Sequence, residues 1–323
     1  MSNLKSTKRN TWSRETLLRA VVLYYEKKMT QEEVSNELGV SRPQVSVMLS
    51  QAREDGLVHF SVKDINKEII EYEIALKEKY KLNKVRVVST RFDRTKEAIK
   101  SQIGELAANY LKEQFSKVNS IGIGWGSSSS YFVNEVDYMR VDNPKKIVPL
   151  VGGLSLLNDR IHSNYLASSL ATKLDSEYSI FYAPVIAESE EEASNLCESR
   201  MVRSALEAAQ NVDIAFIGVG GSVSQSTWKK FNYIKDSEIE ELENAGAVGD
   251  VVSDFFDENG NTVTTSFSKR LIGISIEDLQ NIKDVVLMAD GIEKANNTKL
   301  MLEKEVVNTL IVDDVIARNI LSK

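Results

Sequence analysis

Residues 30–49 read TQEEVSNELGVSRPQVSVML, a stretch with two helix starts only eleven positions apart. Thr30 with Glu33, and Ser41 with Gln44, each set a hydroxyl residue three places before a carboxylate or amide. At that spacing the N-cap hydroxyl and the N3 side chain satisfy each other's exposed backbone donors. Two helices are therefore expected, joined at Gly39-Val40, with Gly39 free to take the positive φ that ends the first. Val34, Leu38, Val40, Val45, Met48 and Leu49 fall where a steeply crossing helix pair buries them, and Ser35 is small enough to sit at the crossing.

Pro43 stands in the first turn of the second helix, where its missing N–H costs little. The pattern is that of a helix-turn-helix, with an ordinary αα-hairpin as the bland alternative. On the first reading, the exposed face of the second helix carries Ser41, Arg42, Gln44, Ser46 and Gln51, residue types that contact phosphates or base edges in a major groove. Upstream, Leu17, Leu18, Val21, Val22 and Tyr25 recur with helical spacing over 13–28 and supply a third helix. Downstream, residues 56–62 alternate like a short strand after a glycine stop, which gives a winged outline.

The charge distribution follows the same division. The chain of 323 residues has a net charge of −7, which by itself disfavours nucleic acid. Residues 1–60, however, hold nine Lys and Arg against seven Asp and Glu. That segment is +2, and the remainder carries −9. A +2 module neutralises few phosphates, so DNA binding requires more than one copy and the electrostatics imply a homo-oligomer. The only cysteine, Cys197, excludes an internal disulfide and suits a reducing compartment. The polar N-terminus lacks a signal-like apolar region, and no stretch approaches the roughly 18 apolar residues of a membrane span. A cytoplasmic protein with no membrane partner is expected.

Between 64 and 81 there is no Gly or Pro, and Ile65, Ile69, Tyr72, Leu76 and Tyr80 form a helical stripe. Either its own domain or the same helix of another subunit covers that seam; a linker helix over 63–82, near a subunit interface, is the preferred reading. Beyond it, strand, loop and helix repeat. Strands are expected over 84–88, 120–124, 146–151, 178–182, 213–219, 284–289 and 309–312, and helices over 95–115, 164–174, 191–209 and 294–306. Short, apolar strands alternating with helices indicate a doubly wound α/β domain over 83–323 with a mostly parallel sheet.

Three glycine-bearing loops follow predicted strands: Gly122-Ile-Gly124-Trp125-Gly126-Ser127-Ser128-Ser129, Gly152-Gly153-Leu-Ser155, and Gly218-Val-Gly220-Gly221-Ser222. In an open α/β sheet such loops share the ligand-binding edge. The first suits an anion best, since its glycines admit close approach and the next helix opens with free N–H groups. It is neither a Walker loop nor a dinucleotide fingerprint, and a glycine turn after a strand occurs in α/β proteins of any function. Asp250, in Gly249-Asp250, and Lys294, opening a helix after Asp290-Gly291, add groups able to take sugar hydroxyls and phosphate; each fits a solvated turn as well. The two histidines, His59 and His162, make no metal-ligand spacing with each other or with Cys197. No metal, cofactor or catalytic residue is expected.

The stretch LLRAVVLYYEKKMTQEEVSNELGVSRPQVSVMLSQAREDGLVHFSV, residues 17–62, resembles the SorC family of sugar-binding bacterial transcription regulators. The likeness runs to LIVDDVIARNIL at 310–321 and includes Tyr24-Tyr25, Ser41-Arg42-Pro43, Ala52-Arg53-Glu54, Gly249-Asp250 and Gly291 with Lys294. It implies a DNA-binding module over 1–62 joined to an effector domain similar to the ribose-5-phosphate isomerase and glucosamine-6-phosphate deaminase fold. Dimers or tetramers on operator DNA and a phosphorylated sugar effector are implied too. Gly124 to Ser129, Gly152, Gly153, Gly220, Asp250 and Lys294 would form the effector pocket. Arg42, Gln44 and Ser46 would read bases, with Gln31 and Ser41 beside them, while Lys27, Lys28 and Arg53 position the module on phosphates. Two departures stand out: Val47 replaces an arginine found in many members, and Val151 occupies the place of a Schiff-base lysine, so no imine forms there. A sugar-phosphate isomerase or deaminase, with Asp250 as its proton-transfer group, is the rival reading.

Overall fold

The computed structural model describes residues 12–58, 67–91, 95–153 and 159–322. Contacts divide the chain into two units, Met1–Ile65 and Asn66–Lys323. In the first unit both helix starts are formed. Thr30 Oγ1 accepts from the Glu33 N–H at 3.2 Å, and the Glu33 carboxylate accepts from the Thr30 N–H at 2.8 Å, which opens helix Gln31–Leu38. The second start keeps the return half of the arrangement: Gln44 Oε1 accepts from the Ser41 N–H at 2.8 Å and from its hydroxyl at 3.0 Å. Helix Arg42–Glu54 follows.

Leu17, Ala20, Val21, Val34, Val45, Met48, Leu49 and Ala52 make a single small core, with Leu38, Val40, Leu57 and Val58 at its margin. Leu18 and Val22, expected inside, are exposed. Helix Arg14–Val21 is short and buries one stripe, which Leu17, Ala20 and Val21 fill. Most of the strand expected over 56–62 lies outside the described residues.

Among its described residues the second unit has nine strands: β1 (Lys84–Val88), β2 (Ser120–Ile123), β3 (Lys146–Pro149), β4 (Glu177–Tyr178), β5 (Ile214–Gly218), β6 (Gly249–Val251), β7 (Asp254–Phe256), β8 (Asp284–Ala289) and β9 (Thr309–Asp313). Seven form one sheet in the order β1-β9-β8-β5-β2-β3-β4, every neighbouring pair parallel. β6 and β7 make a separate antiparallel hairpin. Successive strand residues face opposite sides, so Ala215, Ile217, Val285 and Leu287 join one core. Ile214, Phe216, Val286 and Met288 join another on the far face. The mostly parallel α/β class expected from the sequence is thus present.

Strand order reverses once near the middle. From β2 the chain steps outward through β3 to β4, then returns to lay β5 on the other side of β2 and continues through β8 to β9. The loops leaving β2 and β5 therefore diverge from adjacent strands and open a crevice at the carboxyl edge.

Three expected elements differ. The strand over 178–182 shrinks to β4 because the side chain of Asn164 replaces the ladder, accepting from the Phe181 N–H and donating to its carbonyl. The helix over 191–209 breaks at Ser199, which ends Glu190–Glu198 and caps Arg200–Gln210. Helix Lys67–Tyr80 has its stripe covered by its own unit: Leu76 is fully buried, and Ile69, Tyr72 and Tyr80 pack on the same core. Ile70 and Ile74 remain exposed on the outer side. Among the described residues no helix is long and apolar enough to cross a membrane.

Candidate functional site

A pocket of about 140 Å³ fills the crevice where strand order reverses. One wall is the loop after β2. There Gly126 takes φ +94° and offers no side chain to cap helix Ser127–Glu135. The first N–H groups of a helix have no acceptor within it, so Ser127 and Ser128 present open backbone donors and the positive end of the helix dipole to the pocket they line. Trp125 braces this loop, donating its indole N–H to Val252 in the β6–β7 turn at 2.9 Å and packing edge-on against Trp228 at 4.5 Å between centroids.

The opposite wall is the loop after β5. Gly220 and Gly221 are held by Asn297, whose amide donates to both carbonyls at 2.9 and 3.3 Å. Behind them stands Asp250 on β6, buried. Its Oδ2 accepts from the Trp228 indole N–H at 3.1 Å, while Oδ1 has no hydrogen-bond partner among the described residues. Burial pushes the Asp250 carboxyl up to about 6, against the opposing pull of the Trp228 N–H and the Lys294 charge. Lys294 closes the third side at the end of a short turn after β8, its Nζ 3.3 Å from Asp290 Oδ1. The arrangement has a donor-rich end suited to an anion and, behind the opposite wall, a buried carboxyl oxygen without a hydrogen-bond partner among the described residues.

Of the pocket residues expected from sequence, Trp125, Gly126, Ser127, Ser128, Gly220, Asp250 and Lys294 line this cavity. Gly124 and Ser129 lie buried behind the wall; Gly124 donates its N–H to the Phe216 carbonyl at 2.9 Å. Gly152 and Gly153 do not line the pocket. The Gly152 N–H goes to the Ile272 carbonyl, and a Cβ there would come within 2.6 Å of the Pro184 backbone. Gln225, Ser226, Thr227 and Glu293 were not expected there and line the pocket as well, together with Gly218, Val219 and Gly221 from the third glycine loop. The signal for the first four was faint: a serine opening the short helix Thr227–Lys230, and an acidic residue beside an expected lysine.

In the N-terminal unit Ser41, Arg42, Ser46, Lys27, Lys28 and Arg53 are exposed, while Gln31 and Gln44 are half-buried. Gln44 commits its oxygen to the Ser41 cap, which leaves only its amide N–H groups for an outside contact. Arg53 donates from Nε to the Leu49 carbonyl at 3.2 Å, which steadies its guanidinium on the helix.

Residues 65–322 match the Sugar-bind family of sugar-binding domains, and the chain belongs to it. This is the sugar-binding half of SorC-type transcriptional regulators, as the resemblance had implied. The deoxyribonucleoside regulator of Bacillus subtilis is 26% identical over 93% of this chain and 95% of its own length. The sorbitol operon regulator of Klebsiella pneumoniae is 25% identical over 91% and 94%. The full-length structure of that regulator superposes with a TM-score of 0.72, covering 97% of this chain and all of its own. A DeoR family regulator from Listeria monocytogenes, 30% identical, gives 0.72 over 78% of this chain and 99% of its own. These relatives are transcriptional regulators and not enzymes, so the isomerase or deaminase reading is not favoured.

Proposed function

We propose that this protein is an effector-controlled repressor or activator of a carbohydrate operon: a cytoplasmic homo-oligomer that holds operator DNA through paired N-terminal winged helix-turn-helix modules and takes a phosphorylated sugar in the crevice between the β2 and β5 loops. The observation that carries the reading is the pairing, at one pocket, of a helix N-terminus without a side-chain cap and a buried carboxyl oxygen that lacks a partner among the described residues. The phosphate would sit on the Ser127 and Ser128 N–H groups with Lys294 nearby, and a sugar hydroxyl would donate to Asp250 Oδ1. On the DNA side, Arg42, Gln44 and Ser46 would face bases, and Lys27, Lys28 and Arg53 phosphates. The +2 module supports assembly as a dimer or tetramer, since a single copy neutralises too few phosphates.

A ligand moves such an assembly only by its differential affinity, and a swing from 1:99 to 99:1 needs about 5.5 kcal/mol. Charge-assisted hydrogen bonds contribute roughly 1.5–3 kcal/mol each. Roughly two to four present in one state alone supply it. The test is fluorescence anisotropy of operator duplex with purified protein, with and without a panel of sugar phosphates. A phosphorylated sugar that shifts the titration while its free sugar does not supports the reading; indifference to every phosphate ester refutes the effector half.

A further inference from the structure

We propose that Val47 contacts a thymine methyl group in the operator, an inference that rests on the DNA-binding reading above and adds a specificity-determining residue to it. Helix Arg42–Glu54 turns Val45, Met48, Leu49 and Ala52 into the core. At about 100° per residue, Val47 falls on the opposite side of the helix, and it is 56% exposed. One turn to either side lie Pro43 and Gln44, then Ser50 and Gln51, with Ser46 and Arg42 on the flank. An apolar, branched side chain thus stands at the middle of a polar outward face.

Folding gives that placement little return, since more than half of the side chain stays in water. The packing contacts of this helix are made from the other side, and burial of an apolar group is what stabilises. In a major groove the same placement has a partner. An A·T pair presents one apolar group there, the C5-methyl of thymine, while every other edge atom is a donor or acceptor. Valine has one strongly preferred χ1 in a helix, so it loses little rotamer freedom on contact. Gln44 and Arg42 remain to bond the polar edges of adjacent pairs. This division of labour assigns one A·T position per half-site to Val47.

The experiment uses the purified full-length chain to enrich bound duplexes from a randomised pool, then replaces each thymine of the enriched site with deoxyuridine, which lacks only the methyl. Wild-type protein should lose roughly fourfold in affinity at one thymine per half-site, the effect of burying a single methyl group. Val47→Ala should bind the thymine and uracil duplexes equally, at the weaker level, whereas Val47→Thr, which keeps a methyl in the same shape, should retain most of the discrimination. Equal wild-type affinity for thymine and uracil at every position, or a Val47→Ala protein that still discriminates, overturns the assignment. Enrichment of no duplex at all overturns the DNA-binding reading, and the contact with it.

Discussion

Asp250 Oδ1 occupies the space beside Gly220 so closely that a Cβ there would sit 1.9 Å from it. The glycine on β5's loop and the carboxylate on β6 are thus fitted to each other, and the Gly220 N–H is tied to the Asp250 carbonyl at 2.7 Å. Gly220→Ala should drive the carboxyl out of its place, cost about 1–3 kcal/mol of stability as overpacking does, and abolish stabilisation by ligand. Chemical denaturation and ligand-dependent melting read both. Ligand stabilisation unchanged in this variant would detach Asp250 from the site.

Burial raises the Asp250 carboxyl from 3.8 to about 6, so the folded chain keeps a proton that the unfolded chain has released. Its contribution to stability is full below about pH 4 and disappears as pH rises through 6, a swing of roughly 3 kcal/mol at most. Asp254, pushed to about 6 by its own burial, acts in the same direction. Asp250→Asn should therefore reduce the fall in stability between pH 4 and 6 without abolishing it. Denaturation of both proteins across that range checks the slope; identical slopes would mean that Asp250 titrates as a solvated group.

Ser127→Asp separates helix stability from anion binding. A carboxylate in the first turn complements the helix dipole and is worth about 0.3–1 kcal/mol, so the unliganded protein should melt at the same temperature or slightly higher. The same negative charge stands where the phosphate would lie, and stabilisation by a sugar phosphate should vanish. Retained stabilisation would place the anion elsewhere.

Arg42 is exposed at the start of helix Arg42–Glu54, and its removal costs the fold no buried contact. Arg42→Ala should weaken operator binding by about 1–3 kcal/mol, leaving melting temperature and effector affinity of the free protein unaltered. Anisotropy at fixed salt is the measurement, and an unaltered operator titration would exclude the contact.

How far the residues themselves disclosed this arrangement varies with how local the cause is. β1 and β8 were readable to the residue because β-branched runs stop at polar turns, and Gly39 announced its own positive φ. The pocket loops were visible as glycines after strands. Their sorting was not: Gly126 lines the pocket, whereas Gly152 is small because the Pro184 backbone passes against it, and no local pattern tells a pocket-lining glycine from a packing glycine. Asp250 could be singled out as polar, but its burial depends on Trp228, 22 positions earlier. Nor could the exposure of Leu18 and Val22 be foreseen, since Ala20 takes the inward position by a choice among apolar residues that only the packed helices make.

The most direct test of the central claim is a thermal-shift screen of the purified protein against phosphorylated sugars, each paired with its unphosphorylated form, with Ser127→Asp run beside the wild type. A ligand at 100 times its Kd adds about 2.7 kcal/mol to stability, a readily measured shift. The account predicts that one or a few phosphorylated sugars stabilise the wild type, that their free sugars do not, and that Ser127→Asp is insensitive to both. Stabilisation by a free sugar or a nucleotide, with none from any sugar phosphate, would contradict it.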